Sequence, residues 1–237
     1  LRYAIYFSPA AEHPLTQAAA RWLGRDAFSG ESFTQPVVDG IAEADLQALT
    51  VDPRRYGFHA TLKAPFELAE GRSEAELMDA VGQYASATAA FEIPNLVLGQ
   101  LGRFFALVPD HVYPPLQRFA ADVVGEFEPF RAPLSPADLE RRRPDQLSPE
   151  HRANLLHWGY PYVMDEFRFH MTLTGQVPPE RSPAIRAELE ERFGAFINRP
   201  LLIDGIALFR EPERGGDFAV HHWLPLAPPS QRERTTA

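Results

Sequence analysis

At 237 residues, with 45% hydrophobic and 11% aromatic content, the chain can bury a sizeable core, which excludes wholesale disorder. A formal net charge of −9 argues against a protein that holds long nucleic acid by its backbone, because neutralising phosphates needs a basic surface. With no cysteine there are no disulfides, thiolate nucleophiles or zinc ribbons, and no apolar run approaches a membrane span, so a soluble cytoplasmic protein without a membrane partner is expected.

In chain order, Tyr3–Phe7 alternates as a strand. A helix follows from about Pro14 to Gly24, with Leu15, Ala18, Ala19, Trp22 and Leu23 on one face and Gly24 as a natural stop. A loop rich in Gly, Ser, Pro and Asp covers most of Arg25–Val38, and Phe58–Phe66 reads as a strand. Ser73–Ala90 is a helix opened by Ser73 and Glu76 in capping-box spacing. Leu96–Leu98 and Phe104–Val108 look like paired strands joined near Gly99–Gly102.

The order then repeats. Phe104–Val108 leads into a helix at about Pro115–Phe127, and Pro114-Pro115-Leu116-Gln117 echoes His13-Pro14-Leu15-Thr16. A long polar connection, Arg131–Tyr162, carries Arg141-Arg142-Arg143 and has the length of a functional lid. Phe167–Thr174 follows as a strand, Pro183–Phe196 as a helix, and Leu201–Phe209 and Phe218–Leu224 as strands, with a polar tail over 228–237. This predicts an α+β fold of two similar lobes from an internal duplication, approximately residues 1–102 and 103–227. Mostly antiparallel sheets would face each other across a central cleft, with helices outside.

Both halves carry the same motif: His59-Ala60-Thr61-Leu62 and His170-Met171-Thr172-Leu173. With eight His and nine Thr in the chain, His-x-Thr is expected about 0.3 times by chance, so a single copy means little. Two copies on equivalent strands of a repeat are a strong signal. Side chains at i and i+2 of a strand share a face, which would line up His59, Thr61 and Lys63 in one row and Arg168, His170 and Thr172 in the other. Two such rows suit phosphoryl transfer. One neutral imidazole takes a proton from the attacking oxygen and a protonated one gives a proton to the leaving oxygen. Thr61 and Thr172 can donate to non-bridging oxygens, while Lys63 and Arg168 can balance charge.

The paired motifs resemble the two-histidine phosphoesterase superfamily, which includes RNA 2′,5′-ligase-like proteins and cyclic nucleotide phosphodiesterases. The longer strings from Arg55 to Phe66 and from Trp158 to Gly175 resemble its branch associated with phosphonate metabolism. The resemblance implies His59 and His170 as the catalytic pair and Thr61 and Thr172 as phosphate ligands, with no cofactor. Lone strand histidines are usually structural, and duplication is what sets these two apart. Tyr56 and Tyr160 or Tyr162 are candidate substrate contacts, with core or rim packing as the plainer account. His221 and His222 face opposite sides of a strand and do not share an ion, so no metal is assigned.

The resulting expectation is a metal-independent phosphodiesterase that opens a small cyclic phosphate of a sugar or nucleotide. The alternatives are an RNA-end 2′,3′-cyclic phosphodiesterase or 2′,5′ RNA ligase, and a non-catalytic module that binds a phosphorylated metabolite. The sequence carries no signal of oligomeric state.

Overall fold

Local signals place the first strand and helix. In a computed structural model, β1 spans Arg2–Phe7 and α1 spans Pro14–Leu23. The His13 side chain accepts from the Leu15 amide at the start of α1, and Gly24 ends it in the left-handed region, with φ 85°. The structure describes residues 1–229, so the predicted tail falls outside it from residue 230 onward.

Helix α2 (Glu43–Tyr56) comes next and has no counterpart among the sequence expectations. It contains Pro53, lacks a side-chain N-cap, and buries only Leu46, Leu49, Thr50 and Pro53, so neither periodicity nor punctuation announces it. β2 (Ala60–Phe66) follows, then α3 (Glu74–Ala87) with the expected Ser73–Glu76 capping box. β3 (Phe91–Leu101) and β4 (Phe104–Pro109) form a hairpin, with Leu101 opposite Phe104. α4 (Pro114–Glu126) matches expectation. The connection 131–162 is not bare loop: it folds into α5 (Pro136–Arg141) and α6 (Pro149–Trp158), each opened by a serine N-cap.

The expected strand Phe167–Thr174 shrinks to β5, Met171–Thr172. A 3-10 turn at Met164–Glu166 delays its start, and the amides of Leu173 and Thr174 both reach the Phe105 carbonyl, which ends the regular ladder. α7 (Ser182–Phe193), β6 (Arg199–Ile203), β7 (Gly205–Glu211) and β8 (Ala219–Pro225) complete the fold.

Among the described residues, all eight strands join one antiparallel sheet in the order β6-β3-β4-β5-β2-β1-β7-β8. From the middle outward it reads β2-β1-β7-β8 on one side and β5-β4-β3-β6 on the other, the symmetry of a duplication. The two halves exchange strands. β3, before residue 102, pairs with β4 and β6, while β7, from the second half of the chain, pairs with β1. Sheet halves therefore do not coincide with the contiguous segments 1–102 and 103–227.

Alternation along β1 separates two cores. Tyr3, Ile5 and Phe7 join the large cluster that also takes Leu15, Trp22, Leu77 and Leu116 from the helices. Ala4 and Tyr6 face the other way, into a smaller cluster with Ala207, Phe209 and Phe218. That second face carries the motif histidine of β2.

Candidate active site

β2 and β5 meet through Ala60 opposite Met171. In an antiparallel register this sets Thr172 beside His59 and His170 beside Thr61, all four on the same face. His59 and His170 are then diagonal cross-strand neighbours, with Cα atoms roughly 7–8 Å apart by strand geometry and Cβ atoms somewhat closer. Both strands present their motif at the sheet's pseudo-twofold centre.

The two rings are held in the same way. His59 Nδ1 lies 2.9 Å from the Gly57 carbonyl, and His170 Nδ1 lies 2.7 Å from the Arg168 carbonyl. Carbonyls only accept, so each Nδ1 carries the proton and each Nε2 is left with its lone pair for chemistry. The Thr61 hydroxyl, 3.1 Å from His59 Nε2, donates to it.

Gly57 is needed for its half of this arrangement. Its φ is 76°, and a Cβ there would stand 2.4 Å from the Ala27 Cβ. Helix α2 ends at Tyr56 and hands the chain through Gly57 to His59, so the helix missed in the sequence aims the first catalytic candidate.

Tyr6 lies flat on the His59 ring, with centroids 3.8 Å apart and planes at 20°. Tyr56 stands 6.2 Å from His59 and stacks on Phe218 at 5.1 Å. Buried Glu211 accepts from both Arg2 and Arg55, and Arg55 covers the Tyr56 ring at 4.8 Å, which fixes this wall. A cavity of about 250 Å³ opens beside it, lined by Tyr56, Gly57, His59, Phe104, Thr172 and Gly175 among others. Phe104 stands 5.8 Å from His170.

Burial pushes the His59 imidazole down from 6.5 to about 4; the Gly57 carbonyl opposes the shift and His170 adds to it. Burial also lowers His170, against the pull of the Arg168 carbonyl. Both rings are therefore neutral in the empty site at neutral pH, and a bound anion would raise them.

Residues 61–219 match the model of a family described as "Protein of unknown function (DUF1045)". The chain belongs to this family. Its matched span takes in Thr61, His170 and Thr172. Two curated proteins named ribose 1,5-bisphosphate phosphokinase PhnN are similar to this DUF1045 chain over 235 residues each. One, from Janthinobacterium sp. (strain Marseille), is 37% identical over 98% of this chain and 52% of its own length. The other, from Laribacter hongkongensis (strain HLHK9), is 34% identical over 96% of this chain and 53% of its own. The chain thus spans about half the length of the curated relatives it matches.

Solved structures with some similarity to this DUF1045 chain include TT0787 of Thermus thermophilus, at 17% identity and TM-score 0.43, covering 96% of this chain and 99% of that one. A phosphoesterase is 14% identical with TM-score 0.40, over 95% and 98% of the two chains. E. coli LigT complexed with NADP+ is 14% identical with TM-score 0.39, over 95% and 97%.

Not every predicted site residue of this DUF1045 protein reaches the cleft. Lys63 does not. β1 and β2 pair Tyr6 with Thr61 but Ile5 with Lys63, so two residues of β2 answer one step of β1. This bulge inverts the alternation: Thr61 shares the Tyr6 face, and Lys63 turns with Ile5 towards the helices. There its Nζ, buried, donates to the Val124 carbonyl and to Glu128 at 2.8 Å.

Arg168 is exposed, and its guanidinium donates to the carbonyls of Asp165 and Phe167; what it offers the site is its own carbonyl, on His170. Thr172 lines the cavity as expected and Tyr56 stands on its wall. Tyr162 is 48% exposed and packs edge-on to His151 and Tyr160. His221 lies 3.2 Å from Glu74, and among the described residues no cluster of three or more His, Asp or Glu forms a metal-binding group. Tyr6, Gly57 and Phe104 are the site residues that sequence reasoning missed. Only the Ala4/Tyr6 alternation, opposite Tyr3/Ile5/Phe7, hinted that Tyr6 had a separate role.

Proposed function

We propose that this protein opens a small cyclic phosphodiester by metal-independent acid–base catalysis between His59 and His170. The observation that supports it best is the antiparallel register that brings the two His-x-Thr motifs side by side, each His with Nδ1 protonated against a backbone carbonyl and Nε2 left as the unprotonated nitrogen.

In this reading His59, kept neutral by burial, accepts the proton of the attacking water as its oxygen bonds to phosphorus. His170, protonated under the influence of the bound anion, gives its proton to the sugar oxygen as the P–O bond of the ring breaks. The proton gained by His59 and that lost by His170 balance through solvent before the next turnover. Thr172, and Thr61 once substrate turns its hydroxyl away from His59 Nε2, donate to non-bridging oxygens, where charge builds in the transition state. The −9 charge and the 250 Å³ cavity suit a sugar or mononucleotide and not an extended strand. Relatives named for a kinase of ribose 1,5-bisphosphate, matched over about half their length, point to a ribose phosphate as the substrate class and to phosphonate metabolism as the setting.

The test is a panel with chelator present: a ribosyl cyclic phosphate, a cyclic mononucleotide and an RNA oligomer with a cyclic end, with wild type, His59→Ala and His170→Ala. The expected result is turnover of the small cyclic phosphates, reduced by about 10²–10⁴-fold in either variant. A tenfold preference for the oligomer would favour RNA-end chemistry instead, and binding without turnover would favour the ligand-binding module.

A further inference from the structure

Five arginines line a second cavity, of about 70 Å³, between the start of β1, the end of β2 and the 131–162 connection: Arg2, Arg131, Arg141, Arg142 and Arg214. Four of them are ion-paired. Arg2 is paired with Glu211, Arg131 with Glu128, and Arg141 and Arg214 with Asp138. The Arg142 guanidinium has no carboxylate and no hydrogen-bond acceptor among the described residues. It lies over the Tyr160 ring instead, 5.2 Å from the centroid.

A half-buried, unpaired guanidinium is costly unless something anionic completes it. A guanidinium over an aromatic face spends none of its N–H donors there, so they stay available to a phosphate. Its surroundings tie it to the catalytic face. Arg2 of the same cavity lies over Phe218, which stacks on Tyr56, the ring 6.2 Å from His59. Burial lowers the Arg142 pKa and neighbouring Arg141 adds to this, while Tyr160, Asp138 and Tyr56 oppose it.

We propose that Arg142 binds a second phosphate of the substrate: a phosphomonoester on the same small sugar whose cyclic diester sits between His59 and His170. This rests on the proposed cyclic phosphodiesterase reading. It gives a role to the long connection, whose α5 and the end of α6 line this cavity beside the end of β2. It also makes this protein a consumer of phosphorylated sugars, whose substrate comes from a reaction that closes one phosphorus ester of a doubly phosphorylated sugar into a ring and leaves the other as a monoester.

The experiment has two arms. The first compares kcat/KM for a ribosyl cyclic phosphate with and without a 5-phosphate, in wild type, Arg142→Gln and Arg142→Lys, with Arg143→Gln as a neighbouring-charge control. Wild type and Arg143→Gln should prefer the 5-phosphorylated sugar by about 10- to 100-fold, chiefly through KM, in keeping with the strength of charge-assisted hydrogen bonds. Arg142→Gln should lose most of that ratio and Arg142→Lys recover part of it. An unchanged ratio in Arg142→Gln, or a cyclic mononucleotide preferred by wild type and Arg142→Gln alike, would overturn the proposal.

The second arm is calorimetric titration with ribose 5-phosphate, and it needs no turnover. Binding should weaken at least tenfold in Arg142→Gln and not in Arg143→Gln, with both variants melting like wild type. Equal affinity in Arg142→Gln, or no binding by wild type, rejects the second-phosphate site. Failure of every cyclic phosphate to react, with this arm intact, rejects only the catalytic reading.

Discussion

Tyr6 and His59 lie face to face, 3.8 Å between centroids, so one side of this imidazole is closed to water by a residue on the neighbouring strand. Burial is the largest cause of the depressed His59 pKa, and the Tyr6 ring is part of what buries it. Tyr6→Phe should keep the His59 pKa near 4, whereas Tyr6→Ala should let it return towards 6.5 and cost about 3–5 kcal/mol of stability through the cavity left behind. Titration of the imidazole resonances by NMR checks both. A folded Tyr6→Ala protein whose His59 still titrates near 4 would sink the assignment.

The same shift makes stability depend on pH. Above 6.5, folded and unfolded chains both hold His59 neutral. Between 6.5 and about 4 only the unfolded chain takes up the proton, so the folded state loses up to about 3 kcal/mol across that window and nothing further below it. His170, lowered for the same reason, adds in the same direction. Urea melts at pH 7, 5.5 and 4 should show this slope, flattened in His59→Gln; parallel slopes in the two proteins would contradict it.

Catalysis should follow its own profile. Both imidazoles are neutral in the free enzyme, so kcat/KM, which reports the free groups, is expected to peak below pH 6.5. The bound phosphate stabilises a protonated ring, so the kcat profile should lie at higher pH. Steady-state rates from pH 4 to 9 decide the matter, and a kcat/KM optimum above 8 is the outcome that excludes the pair.

Lys63 is a structural cation. Lys63→Met should cost about 1–3 kcal/mol, limited because Glu128 keeps Arg131, and should change kcat/KM less than threefold. A tenfold loss of kcat/KM with the melting temperature unchanged would restore it as a phosphate ligand.

Gly57→Ala tests the backbone support of His59. Its Cβ would collide with Ala27 at a φ that disfavours side chains, so a loss of at least about 2 kcal/mol is expected. Turnover should fall with it as the carbonyl that holds Nδ1 moves. Gly24→Ala, also at positive φ but at the end of α1, should destabilise without lowering kcat in the folded fraction.

The sequence by itself determined what depends on near neighbours in the chain. The apolar alternation of β1, the Gly24 stop of α1, the Ser73–Glu76 box of α3 and the proline-led start of α4 are local signals, and each element formed where its signal stood. The two His-x-Thr-Leu strings were legible for the same reason, as was the duplication that gave them meaning. Tertiary structure decided the rest. The direction of Lys63 depends on a bulge that exists only once β1 pairs with β2, since side-chain alternation is a property of a ladder and not of a segment. The exchange of β3 and β7 between sheet halves is a choice among distant partners that no window of sequence contains. α2, with Pro53 inside and few buried residues, forms because it packs against α1 and delivers Gly57 to its turn. The stack of Tyr6 on His59 and the unpaired Arg142 over Tyr160 are likewise meetings of residues far apart in the chain, set by long-range burial and charge.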